Sequence, residues 1–225
     1  MRSSAVLALP LTLVAAPAVA AEGDWAEDDA ELAVDLYSLD DDSYPWRDVF
    51  EAFATACSAV QDAAVNKASV AAAQWEDYTP DAEDRLGRLV AYGEQEIAKE
   101  VLGPDEEPTE LLPGSTWRKQ VAGRQLYVAL SGARVSDIRS TGCRLYDFDA
   151  PADPGPERVE NWVQRAIGSE ERPGEGLVKY IWNPGITPAS MELEIAFVAP
   201  EADPIPGVPL QGLVMTATAL EIEGL

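Results

Sequence analysis

Histidine is missing altogether from this 225-residue chain, and lysine occurs only as Lys67, Lys99, Lys119 and Lys179. Without imidazole the commonest general base and the commonest metal ligand are gone, and so is every Ser-His or Cys-His nucleophile. Ser-Lys chemistry would need a Ser-x-x-Lys spacing, and none of the four lysines has one. Gly-Ser-Thr at 114–116 and Ser-Gly at 131–132 are ordinary loop and strand-end chemistry, without the setting of a nucleophile elbow. Arg172-Pro173-Gly174-Glu175-Gly176 has glycines but no helix pattern after it, and its glutamate repels phosphate, so it reads as a turn. No cofactor motif is present, and none is expected to bind.

Long apolar runs are equally scarce. The single one, Ala5 to Ala16, follows Arg2 and precedes Ala18-Val19-Ala20, the charge, greasy stretch and small residues that a translocation channel and signal peptidase require. A membrane span needs about 20 apolar residues, and the charged stretch Glu22 to Asp29 ends this run too early. The expectation is a secretory signal over residues 1–20, a periplasmic or secreted product, and no membrane insertion after cleavage.

Positive charge is also in short supply. A cut after Ala20 removes Arg2 and leaves 15 basic against 40 acidic residues, a formal charge of −25. Such a chain repels nucleic acid and anionic lipid over long range, which excludes nucleic-acid function; the same acidity also serves plain solubility. Ten acids and no base fall in residues 22–42, so residues 21–44 read as an acidic, solvated leader. Within it, Asp40-Asp41-Asp42-Ser43 offers oxygens to a hard cation, but the spacing is not that of an EF-hand, and acids leading into a helix explain it without metal.

Only two cysteines remain, Cys57 and Cys143. In an exported chain a single intramolecular bridge is the default; redox or metal roles are the alternatives, and the wide spacing and absent histidine argue against both.

The remaining 45–225 patterns as one α+β domain. Trp46, Phe50, Phe53, Cys57, Val60 and Ala64 recur at helical steps after Pro45, placing Cys57 on a buried stripe. Leu86, Leu89, Val90, Gly93, Ile97 and Val101 mark a second helix started by Thr79-Pro80, and residues 103–114 read as a loop. A hairpin turning at Gly123-Arg124 joins 116–121 to 125–131, and 142–148 supplies a third strand with Cys143 and Leu145 inward. Pro156 opens a third helix that Gly168 stops, and strands follow at 177–182, 190–198 and 213–222. Helices and strands in this order predict a two-layer sandwich, an antiparallel sheet with about three helices on one face.

One segment reverses the charge. From Ser115 to Tyr146 six bases face one acid, Asp137. Arg118, Arg124, Arg144 and Tyr146 are the candidate patch for a small anionic ligand or an envelope protein; the competing reading is a ladder of cross-strand ion pairs with Glu192 and Glu194. The expected function is a non-enzymatic envelope binding module. Its alternative is a periplasmic hydrolase with two carboxylates about 5 to 10 Å apart, one with a raised pKa.

Ala56-Cys57 on the first helix and Gly142-Cys143-Arg144-Leu145-Tyr146-Asp147 in a central strand, behind an exported leader, resemble small uncharacterised periplasmic proteins of Gram-negative bacteria. The resemblance covers about residues 46–167. It implies a periplasmic address and a cysteine bridge in those relatives, and it brings no catalytic residue.

Overall fold

The computed structural model describes residues 44–99, 110–185, 187, 190–202 and 210–222. The signal, the leader up to residue 43 with its Asp40–Ser43 run, and the second helix beyond Lys99 lie outside them.

The expected first stripe divides in two. α1 (Trp46–Cys57) carries Trp46, Phe50, Phe53 and Cys57 inward, and a turn then separates it from α2 (Ala63–Ala72). Asp62 explains the break: its carboxylate accepts from the Ala64 and Val65 amides and so caps a new helix. After β1 (Glu76–Asp77), α3 (Arg85–Lys99) starts later than Thr79-Pro80 predicts. Asp84 is its effective cap, accepting from the Gly87 amide.

β2 (Glu110–Val121), β3 (Arg124–Val135) and β4 (Ile138–Asp147) form a meander. The β2–β3 turn is Ala122-Gly123, with φ of 45° and 82°, the left-handed pair that a two-residue hairpin needs. α4 (Pro156–Val163) then stops at a left-handed Gln164, before Gly168. β5 (Ser169–Gly174), β6 (Leu177–Trp182), β7 (Glu192–Val198) and β8 (Gly212–Ile222) form the second run of strands.

The eight strands among the described residues join one antiparallel sheet in the order β1-β2-β3-β4-β8-β7-β6-β5. The β-rich runs on either side of α4 are therefore two halves of one sheet, sewn together where β4 pairs with β8 from Ile138↔Ile222 to Asp147↔Leu213. At both sheet margins a proline interrupts the ladder. Pro113 sits in the register shift of β2, and Pro173, expected in a turn, sits in that of β5. Both blunt edges that would otherwise invite strand addition.

The main core lies on one face, where Leu126, Val128, Cys143, Leu145, Tyr180, Leu193, Ile195 and Met215 meet Phe50 and Phe53 of α1, Val70 of α2 and Val159 of α4. The expectation that the helices share one face needs correction. α3 packs on the opposite face, burying Leu86 against Ala129, Tyr146, Phe148, Ala196 and Val214. The physical reason is that β4, β7 and β8 are apolar on both sides at this end. Ile195-Ala196-Phe197-Val198 and Leu213-Val214-Met215 are continuous buried runs rather than strict alternations.

Candidate functional site

Cys57 and Cys143 form a disulfide with Cα atoms 5.4 Å apart, both sulfurs deep in the main core. It pins α1 to β4, the geometry expected from the two stripes, and fits an oxidising, exported compartment.

The four patch residues do not converge. Arg118 makes a bidentate pair with Glu76, the residue directly across from it on β1, and lies over the Tyr78 ring. That pairing holds the exposed Glu76 carboxyl below its usual range. Arg144 donates to Ser131 Oγ at 2.9 Å. Tyr146 shares its face but is buried beneath α3, and burial pushes its hydroxyl pKa up. Arg124 projects to the opposite face, into a buried pair with Asp147.

Much of the basic segment is neutralised by acids from flanking strands. Arg134 pairs with Glu110 and Arg139 with Glu221, each from the register position directly opposite. Lys119 donates to the Ala73 carbonyl. Cross-strand pairing is thus the rule, although the partners are not those expected: Glu194 pairs with Lys179.

The face that carries α3 has two distinct ends. Under the start of α3 lies a cleft of about 300 Å³, lined by Arg85, Leu86, Arg88, Gln125, Tyr127, Phe148 and acids of both flanks. Rings line this end in series, Tyr78 to Tyr127 at 5.5 Å, Tyr127 to Phe148 at 5.6 Å and Phe148 to Tyr146 at 5.5 Å between centroids. Asp84 is fully engaged here. Burial pushes its carboxyl up, but hydrogen bonds from Tyr78 and the Gly87, Asp81 and Leu86 amides outweigh this and hold it below its usual range.

At the other end no helix among the described residues covers the face. Leu111, Val135, Ile138, Leu220 and Ile222 are each 41–49% exposed. Their registers set them in two adjoining rows across four strands: Leu111, Ala133, Ser140 and Leu220, then Val135, Ile138 and Ile222. The sequence carried this signal in the apolar ends of β3, β4 and β8. The expected strands end at Ser131 and resume at Gly142, so Val135 and Ile138 fall outside them, whereas β3 and β4 extend to these residues.

Glu76 and Asp84 are moved down, away from the raised pKa that a general acid requires. Comparison of the chain with protein-family models, curated proteins and solved structures finds no match.

Proposed function

We propose that this chain is an exported, non-enzymatic interaction protein of the periplasm, and that it docks a polypeptide partner on the apolar end of its second sheet face. The observation that carries this reading is the set Leu111, Val135, Ile138, Leu220 and Ile222. They are five of the seven large exposed apolar residues among the described positions, and they lie together on one surface. Contiguous exposed apolar patches mark interaction sites far more often than scattered single residues do. Burying each of these half-exposed side chains adds roughly 1 kcal/mol.

The partner's chemistry follows from charge. The two rows contain no ionisable side chain, so the contact itself is apolar, while a net charge of −24 for the whole chain attracts a basic partner and opposes self-association. The arginines of the basic segment are not needed for this docking: Arg118 and Arg124 hold acids, and Arg144 donates to Ser131.

A photoreactive phenylalanine analogue placed at Ile138 or Leu220 in the exported protein tests the reading in intact cells. The expected result is a crosslinked adduct at both positions and none from Val65, an equally exposed apolar residue on α2. Absence of adduct, the same adduct from all three positions, or an adduct of twice the chain's mass would overturn it.

A further inference from the structure

The cleft under the start of α3 is chemically unlike the apolar end, and the inference drawn from it does not rest on the docking proposal. Its inner wall is aromatic. Phe148 and Tyr127 stand side by side, and Tyr127, half-buried, has a hydroxyl that takes no hydrogen bond among the described residues. Tyr127 lines the cleft, and its phenol can both donate to and accept from a ligand hydroxyl.

The rim is polar but balanced. Arg85 lies over the Phe148 ring, held there by the Phe148 carbonyl at 2.9 Å and Asp149 Oδ1 at 2.7 Å. Arg88, which donates to the Glu83 carbonyl, also lines the cleft, and Gln125 adds an amide. Two guanidinium groups therefore face Glu83, Asp84 and Asp149. An anion would meet three carboxylates and a cation two arginines, so neither net charge is favoured.

We propose that this cleft binds a neutral saccharide residue. One face of a sugar ring presents C–H bonds that pack on an aromatic wall, while its hydroxyls, each both donor and acceptor, lie at the edge. There they meet a mixed rim of guanidinium, carboxylate, amide and phenol. Planar guanidinium and carboxylate groups engage adjacent hydroxyls two at a time, which suits this rim. The volume of about 300 Å³ is at the lower limit for ligand sites, enough for a single ring with the remainder of an oligosaccharide outside the open mouth.

The test uses the full mature chain and an array of neutral oligosaccharides, followed by titration of the best binder by NMR. Tyr127→Ala should weaken binding about tenfold or more, and Arg88→Ala, at an exposed position, by severalfold. Arg144→Ala, on the same face but outside the cleft, should leave binding unchanged. Tyr127→Phe keeps the ring and its packing, so a loss in that variant reports the hydroxyl even if Tyr127→Ala fails to fold. Lack of binding to any neutral oligosaccharide at about 10 mM, binding indifferent to Tyr127→Phe and Arg88→Ala, or preference for glucuronate or inorganic phosphate over neutral sugars would each overturn the proposal. The crosslinking result from Ile138 and Leu220 bears on the docking surface alone and does not affect this outcome.

Discussion

Replacing Cys57 and Cys143 together with alanine is expected to lower the unfolding free energy by about 4 to 5 kcal/mol, from the closure entropy of the loop between them. The loop is long, with a sequence separation of 86, and it encloses α2, α3 and the first three strands. Without the bridge the unfolded chain regains that freedom, while the native state loses two small buried groups. Both cysteines belong to the apolar core cluster that also holds Phe53, Leu130 and Leu145, so alanine is the appropriate replacement; serine would add the separate cost of burying a hydroxyl. Urea titration of the oxidised protein against the double-alanine variant reads the effect. The midpoint should fall, and the slope should rise because the unlinked unfolded state exposes more surface. A loss below about 1 kcal/mol would mean that the unlinked unfolded chain stays compact enough to cancel most of that closure entropy.

The bridge also shows how much of the fold was legible. Cys57 on a helical stripe and Cys143 on a strand's inward face could be read because each lies in a strongly periodic segment, and tertiary contact preserved both periods. The same holds for Leu126, Val128 and Leu130, and for β6, whose bounds match the expectation. What escaped was local or two-sided. α2 has a weak pattern and owes its start to Asp62, a single capping side chain at the end of a longer stripe. β1 is two residues long and is held by Arg118–Glu76, a pairing no sequence window spans. The position of α3 was hidden for another reason: Tyr146 and Phe148 look like an outward polar-aromatic face until Ala129, Ala196 and Val214 from three other strands are seen beside them.

The candidate site was less legible still. The basic segment is legible in the charge pattern, but a run of arginines in sequence alternates between two faces of a sheet, and their acids come from elsewhere. Glu76, Glu110 and Glu221 lie on three separate strands. The features that now distinguish the second face, an aromatic cleft at one end and an apolar surface at the other, arise from where α3 rests.

Arg124→Leu is expected to cost about 3 to 5 kcal/mol, because it strands a buried carboxylate. Asp147 is 1% exposed and accepts from Arg124 Nε at 2.9 Å, Arg124 Nη2 at 3.0 Å, Tyr44 Oη at 2.7 Å and the Asp149 amide at 3.0 Å. Every oxygen is thus satisfied, and removal of the guanidinium takes away both the charge and two of the four bonds. Tyr44→Phe removes only one donor to a charged group and should cost about 1.5 to 3 kcal/mol. That hydroxyl remains a donor at any physiological pH, since burial and the neighbouring carboxylate push its pKa far above the ordinary tyrosine value. The decisive comparison is Arg124→Leu with Asp147→Leu in one chain. If the cost of the single change comes from an uncompensated buried charge, the double variant should regain most of it, as apolar replacements of buried ion pairs commonly do. A double variant as unstable as Arg124→Leu would instead show that the network holds Tyr44 and the start of α1 against the β3–β4 end of the sheet by geometry. The loss should then follow the Tyr44–Trp46 ring contact at 4.2 Å, visible in the near-ultraviolet circular dichroism.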